Sequence, residues 1–164
     1  FFLQYRAEFM AVLAKDIKAA ERKATRLNYT LAVRLNGTSD LRVEKWAIIQ
    51  AFPHIQFYDY TKHPSRKLEG KTAGNYDLTY SFSAITPKPI SIKGLTNPNN
   101  SRTAVVFQKQ SDIPSTFRGW PVIDGDNTDV RHIEPRAVVV ALYAKGKAKT
   151  DTGGFVQIKG VHYA

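Results

Sequence analysis

Residues 30–61, TLAVRLNGTSDLRVEKWAIIQAFPHIQFYDYT, decide the fold class. In the first part, up to the turn signal Asn36-Gly37, apolar residues alternate with small or charged ones, which is typical of a strand. The last part, IQFYDYT at 55–61, predicts a second strand. Between the two lies a helical pattern that Pro53 ends. A strand, a helix and a second strand predict two parallel strands joined by a crossover helix.

Two helices are predicted in this half of the chain. The crossover helix holds Leu41, Val43, Trp46, Ala47 and Ile49 and is ended by Pro53, with Ser39 or Asp40 placed to cap its first turn. An earlier helix covers the first 26 residues, because apolar residues recur there at steps of three and four. These residues are Tyr5, Phe9, Val12, Leu13, Ile17 and Ala20.

Further strand patterns extend the α/β reading to the rest of the chain. They are YDLTYSFS at 76–83, TAVVFQ at 103–108, WPVIDGD at 120–126, AVVVALYA at 137–144 and, at a sheet edge, GFVQIKG at 154–160. Residues 62–75 and 86–101 are rich in Pro, Gly and Asn and predict irregular connections. We therefore expect one α/β domain over 1–164, with a mainly parallel sheet and crossover helices. The start at Phe1-Phe2, without a Met, favours a fragment of a longer chain.

Composition restricts the classes of function. The net charge is +10, from 24 Lys and Arg against 14 Asp and Glu, and such an excess attracts polyanions. We therefore expect nucleic acid or a nucleotide as a partner. The absence of cysteine excludes disulfides and thiolate metal sites. No apolar run approaches the ~18 residues of a membrane span, so no membrane partner is expected.

Polar residues follow several predicted strands. In a parallel sheet the carboxyl ends of strands meet at one edge, where ligands bind. The candidate ligand-binding residues are Asn36, Thr38, Ser39, Asp40, Asp59, Thr61, Lys62 and Ser81. For Asp59 two interpretations stay open, because a carboxylate within an apolar strand must be hydrogen-bonded or paired. It is either a structural group satisfied by loop amides or a nearby cation, or a polar residue of a binding site.

The segment DGDNTD at 124–129 is the strongest local candidate for metal chemistry. Asp124, Asp126 and Asp129 could hold a hard divalent cation, Mg or Mn, through oxygen atoms. Such an ion could assist chemistry on a phosphate-bearing substrate. The alternative is a tight Asp-Gly turn closed by an Asx-type hydrogen bond. The sequence indicates no other cofactor.

Two basic segments are candidates for contact with a polyanion. One basic segment follows the predicted strand at 55–61, and the other follows the predicted strand at 137–144. Their residues are Arg66, Lys67, Lys71, Lys145, Lys147 and Lys149. Tyrosines in the neighbouring strands could stack nucleic-acid bases if they are exposed. A solvated basic surface is the alternative for these cations.

An ordered series of motifs covers most of the chain, from about residue 3 to 158. The motifs are AVRLNGTSD, FPHIQFYDYTK, YDLTYSFS, AVVF, VIDGD and AKGKAK. In this series the sequence resembles an uncharacterised family of phage, prophage and plasmid proteins, the gene-eighty-eight-product type. The resemblance implies a mobile-element origin, a partial (β/α) barrel and a location in the cytoplasm of a host cell.

The resemblance also bears on the site. It implies Asn36, Thr38, Ser39, Asp40, Asp59, Thr61, Lys62, Ser81, Asp124 and Asp126 as rim candidates. Members of the family carry a cysteine-rich segment ahead of this region, in a layout similar to radical-enzyme barrels with an iron–sulfur cluster. This chain contains no Cys, so cluster chemistry is not transferred to it.

Three functions remain as hypotheses. The first, ranked ahead on charge, is binding of nucleic acid or a phosphate-bearing ligand at the carboxyl ends of the strands. The second is a metal-assisted enzyme acting on a phosphate-bearing substrate, with Asp124 and Asp126 holding the ion and Lys62 the phosphate. The third is a non-enzymatic protein that interacts with a host protein or is part of a larger barrel.

Overall fold

A long helix opens the fold in the computed structural model, which describes residues 4–68, 74–83 and 102–163. This helix, α1 (Arg6–Arg26), confirms the helix predicted from the apolar stripe, and its buried residue is Ile17. Asn28, with φ of 55°, ends the helix because Asn tolerates the left-handed conformation. In the described ranges, every helix is too short or too polar to cross a membrane.

Within the described residues, eight strands form one open sheet. They are β1 (Ala32–Val33), β2 (Gln56–Thr61), β3 (Tyr76–Ser81), β4 (Thr103–Phe107), β5 (Thr116–Phe117), β6 (Trp120–Asp124), β7 (Val139–Tyr143) and β8 (Val156–Gln157). Their order is β1-β2-β3-β4-β7-β6-β5, with β8 beside β4. The pairs are parallel except that of β5 with β6. The predicted α/β fold with a mainly parallel sheet is confirmed, and the sheet does not close into a barrel.

The connection between β1 and β2 is the predicted crossover, but it is not one helix. It consists of a 3-10 helix, Val43–Lys45, and of α2, Ala47–Ala51, with Trp46 in extended conformation between them. Neither helix starts with a side-chain cap, so the capping role predicted for Ser39 or Asp40 is wrong. The carboxylate of Asp40 instead accepts the N–H of Lys62.

Three other elements differ from the sequence predictions. A short helix, α3 (Pro64–Leu68), lies in the segment expected to be irregular, and β5 was not predicted. The strand β8 has one paired neighbour, as expected at a sheet edge, but that neighbour is the central strand β4, at Val106 and Phe107, and both residues of β8 are buried. The predicted connection at 86–101 lies outside the described residues.

One face of the sheet is packed against helices at β2 and β3, and against the segment around Phe117 at β4 and β7. Alternation along the strands places Phe57, Leu78, Val105 and Val139 on this side, here called the helix face, and all four are buried. Phe57 and Leu78 belong to one core cluster with residues of α1 and α2. Burial of this apolar surface is the main stabilising contribution to the fold.

The opposite side is here called the cavity face. Near the carboxyl ends of the strands it carries Tyr60, Ser81, Ala104, Val106 and Leu142. The strands β1 to β4 follow one another in one direction across the sheet, whereas the chain turns back from β6 to form β7. Because crossovers between parallel strands are right-handed, the connection from β6 to β7 runs over the opposite face from the connection between β1 and β2.

The returning segment fills the amino-terminal half of the cavity face. From the 3-10 helix Arg131–Ile133, the Nε of Arg131 donates to the hydroxyl of Tyr60 at 2.5 Å. Arg102 donates to the carbonyl of Glu134 at 2.9 Å and to the carboxylate of Asp77 at 2.8 Å. Buried guanidinium groups with these partners hold the segment on the sheet.

Replacing Gly125 by Ala should test how tightly this segment packs. A Cβ at that position would lie 2.3 Å from Cγ1 of Val140 and 2.9 Å from the carbonyl oxygen of Ala141. We expect the free energy of unfolding, measured by urea denaturation, to fall by about 1–3 kcal/mol, because the extra methyl overpacks the core. Gly74→Ala is the matched control, since a Cβ there meets nothing within 4 Å. Equal stability of the two variants would contradict the packing described.

Candidate functional site

A cavity of about 500 Å³ opens at the carboxyl ends of the central strands. Its floor is the cavity face, and its walls are the turn at 36–40 and segments that follow β2, β6 and β7. The lining residues are Arg34, Asn36, Gly37, Thr38, Ser39, Asp40, Tyr60, Thr61, Lys62, Ser81, Ala104, Val106, Asp129, Leu142 and Phe155. The parallel sheet thus brings together every predicted ligand-binding residue except Asp59.

Asn36 organises the turn that forms one wall. It is buried, and its amide oxygen accepts the hydroxyl of Ser39 at 2.7 Å and the N–H of Leu41 at 3.0 Å. Its Nδ2 donates to the carbonyl of Leu41 at 2.9 Å. These bonds close the turn from within, so the side chain of Asn36 is engaged structurally.

The turn is tied to the end of β2 by Asp40. One carboxylate oxygen accepts the hydroxyl of Thr61 at 3.1 Å and the N–H of Lys62 at 2.7 Å. The other oxygen pairs with the guanidinium of Arg66. Arg66 also pairs with Glu44 at 2.6 Å and is buried. Its two carboxylate partners compensate its buried charge.

Asp59 lies beneath the cavity rather than on its surface. The carboxylate has no exposure, and it accepts the N–H of Asn36 at 2.8 Å and the hydroxyl of Tyr76 at 3.1 Å. Burial raises the pKa of the Asp59 carboxyl, while the hydrogen bonds from Asn36 and Tyr76 act in the opposite direction. Of the two interpretations of Asp59, this geometry favours a structural carboxylate satisfied by a loop amide.

The opposite wall is organised by Asp129. Its carboxylate accepts hydrogen bonds from the hydroxyl of Tyr60 at 3.0 Å and from Nη1 of Arg34 at 2.8 Å. The guanidinium of Arg34 also lies over the Tyr60 ring, 4.7 Å from its centroid. Burial raises the pKa of Tyr60 to about 12, so the phenol is neutral at physiological pH and donates to Asp129.

Lys62 is a cation of the cavity that interacts electrostatically with the carboxylate of Asp151 but is not ion-paired with it within 4 Å. Its ammonium lies 4.0 Å from the ring centroid of Phe155, and it forms no ion pair within 4 Å among the described residues. Phe155 belongs to the loop between β7 and β8, where Asp151 accepts the N–H of Val156 at 3.0 Å. That hydrogen bond is the main cause of the lowered pKa of Asp151.

The turn also leaves backbone donors without partners. The N–H groups of Gly37, Thr38 and Ser39 donate to no acceptor within the part of the chain that the structure describes. All three residues line the cavity. Unpaired amide groups next to a cavity are ready donors to an anionic ligand.

The acidic segment 124–129 does not form a convergent cluster. Asp124 accepts the N–H of Asp126 at 2.8 Å, which is the Asx-type bond of the turn alternative. Asp126 bonds Lys145 at 2.6 Å, while Asp129 points to the cavity wall. Among the described residues, no three acidic or histidine side chains are placed to hold a metal ion. The predicted divalent-cation site thus gains no support from this geometry.

The residues predicted to contact a polyanion are dispersed. Arg66 is buried and paired with two carboxylates, so it does not reach the surface. Lys145 pairs with Asp126, whereas Lys147 and Lys149 are exposed in a 3-10 helix, Gly146–Thr150. Lys67 lies in α3, and Lys71 falls outside the described residues.

Several lining residues were not among the sequence candidates. They are Arg34, Gly37, Tyr60, Ala104, Val106, Leu142 and Phe155. The alternation of β2 carried a signal for Tyr60, since it separates Tyr58 and Tyr60 from the face of Asp59. What the pattern could not give was which of the two faces opens to the cavity.

Comparison with known proteins identifies a family. The model of the family described as Gene product 88 matches residues 1–158, so the chain belongs to that family. This confirms the phage-type resemblance seen in the sequence motifs. No curated protein and no solved structure matches the chain.

The buried Asp59 makes stability depend on pH in a defined direction. Its pKa is raised in the folded protein above the ordinary value of 3.8. The contribution of Asp59 to the free energy of unfolding is therefore complete at pH values below its ordinary pKa, and it is lost as pH rises through its pKa in the folded protein. We expect the free energy of unfolding of the wild type, relative to Asp59→Asn, to fall over this interval and then level off. Urea denaturation across the acid range measures it.

Asp16→Asn, on the exposed face of α1, is the matched control for removal of a carboxylate. A difference between wild type and Asp59→Asn that stays constant with pH would show that the ionisation of Asp59 is not coupled to folding.

Proposed function

For this member of the Gene product 88 family, we propose that the chain binds a small ligand carrying a phosphate group in the cavity at the carboxyl ends of β1–β4 and β7. One observation carries the proposal. Arg34, Lys62 and residues 37–39, whose N–H groups have no acceptor among the described residues, all line the same cavity. These are the donor types that bind phosphate oxygens in proteins.

The position of the cavity supports the proposal independently. Ligands of open α/β sheets bind outside the carboxyl ends of the strands, where the order of the strands reverses. Here the order reverses beside β4, since β7 lies between β4 and β6. A volume of about 500 Å³ also falls within the range of small-ligand sites.

Binding to a nucleic-acid strand is the second candidate. It is favoured by the net charge of +10 and by the exposed Lys147 and Lys149. Nonspecific attraction of this kind requires no cavity, and it weakens steeply with salt. Neither a metal-assisted reaction nor a host-protein partner is favoured by a contact among the described residues.

Replacing Lys62 by Gln should weaken the binding of inorganic phosphate, measured by calorimetry at low ionic strength. Loss of a charge-assisted hydrogen bond costs about 1.5–3 kcal/mol, so we expect the affinity to fall about tenfold or more. Lys18→Gln on the exposed face of α1 removes the same charge and serves as the control. Equal affinities of the two variants would reduce the binding to a general effect of net charge.

The second candidate predicts a different response. For a single-stranded oligonucleotide, the association constant should fall steeply between about 50 and 200 mM salt. Replacing both Lys147 and Lys149 by Gln should weaken this binding more than Lys62→Gln does. Binding that is absent at low salt, or insensitive to salt, would exclude the strand-binding role.

A further inference from the structure

The cavity has two chemically different parts. The turn at 37–39 and Lys62 provide donors to an anion, as described above. The floor, in contrast, carries the apolar side chains of Ala104, Val106 and Leu142, and the ring of Phe155 lies on the wall. A bare phosphate ion has no apolar group that could pack against this surface.

The apolar floor would gain from being covered. Val106 and Leu142 are only half-buried, although they lie on β4 and β7 at the centre of the sheet. Removal of apolar surface from water contributes roughly 25 cal/mol per Å². Aromatic rings also pack favourably against rings such as that of Phe155. A ligand with a flat or apolar group would therefore bind more tightly than the phosphate group alone.

The charges around the cavity favour one phosphate over several. Arg34 is paired with Asp129, and Arg66 with Asp40 and Glu44. Among the described lining residues, Lys62 is the cation without an ion-pair partner. A polyphosphate or the backbone of a nucleic acid would bring more negative charge than these groups compensate.

Ser81 and Asp129 add a hydroxyl and a carboxylate to the lining of the cavity. Ser81 is the last residue of β3 and lies on the cavity floor, and the Asp129 carboxylate is largely exposed on the wall. A hydroxyl and a carboxylate in this position suit the hydroxyl groups of a sugar, to which carboxylates commonly bind in nucleotide sites.

Resting on the proposed phosphate site, we propose that the ligand is a phosphate monoester with a flat, largely apolar group joined through a polar linker, the chemistry of a nucleoside monophosphate. The phosphate meets Lys62 and the amides of 37–39, and the flat group covers Val106, Leu142 and Phe155. The proposal differs from both inorganic phosphate and a nucleic-acid strand as the ligand.

The test compares three probes by calorimetry on the same protein: adenosine monophosphate, ribose 5-phosphate and inorganic phosphate. Adenosine monophosphate should bind at least about tenfold more tightly than the other two, which lack the flat group. Lys62→Gln should weaken all three. If the three probes bind equally but depend on Lys62, the phosphate site stands and the present inference fails. If none depends on Lys62, the phosphate site itself fails.

Two variants localise the flat group. Val106→Phe fills the cavity floor, and Phe155→Ala removes the ring from the wall. Each should lower the affinity for adenosine monophosphate at least about fivefold, and Val106→Phe should leave that for inorganic phosphate within about twofold. Phe155→Ala also removes the ring that the Lys62 ammonium contacts, so its affinity for adenosine monophosphate should fall by a larger factor than that for inorganic phosphate. Phe155→Ala changes a loop, so it remains informative if Val106→Phe does not fold; circular dichroism checks both. Unchanged affinity for adenosine monophosphate in a folded variant, or tighter binding of an oligonucleotide that ignores both changes, would overturn the inference.

Discussion

The site depends on a buried carboxylate, that of Asp59. This side chain lies on the helix face of β2 with no exposure, where an unpaired charge would cost several kcal/mol. Its partners are the N–H and the amide of Asn36 and the hydroxyl of Tyr76. Because Asp59 requires these donors, the chain after β1 is held against the end of β2. Asn36 then closes the turn whose outer residues form the cavity wall.

Parallel strand direction and a reversal of strand order determine the rest of the architecture. Because β1 to β4 and β7 run the same way, the segments after them meet at one end of the sheet. The return from β6 to β7 places Asp129 and Arg131 on the opposite face from α1 and α2. Arg131 and Arg102 fill the amino-terminal half of that face, and the carboxyl-terminal half stays open as the cavity.

Local sequence patterns were sufficient for the fold class and for part of the site. Alternation and turn residues located β2, β3, β4, β6 and β7, and the strand-end rule located the turn at 36–40 and Lys62. The length of the crossover helix was overestimated, because Asp40 accepts a hydrogen bond from the N–H of Lys62 rather than capping a helix. These two residues are 22 positions apart, so a local pattern does not contain this contact. The spacing of the acidic residues also suggested a metal site at Asp124 and Asp126. In the structure, Asp124 accepts a hydrogen bond from within its own turn, and Asp126 forms an ion pair with Lys145.

The remaining site residues depend on long-range geometry that no local pattern contains. Tyr60 reaches the cavity because its face of β2 is the one left uncovered by helices. Phe155 reaches it because β8 returns to pair with Val106 and Phe107 of β4, beyond the part of that strand that pairs with β3. Arg34 is held at the cavity wall by its contacts with Tyr60 and Asp129, which are 26 and 95 positions away in the sequence.

Mapping of amide chemical shifts during a titration with adenosine monophosphate tests the central claim most directly, because it locates the ligand without any substitution. The account predicts that the largest changes fall on Gly37, Thr38, Ser39, Lys62 and the loop around Phe155. Changes confined to α1 and to the lysines at 145–149, with the turn at 37–39 unaffected, would contradict it and leave only attraction to a basic surface.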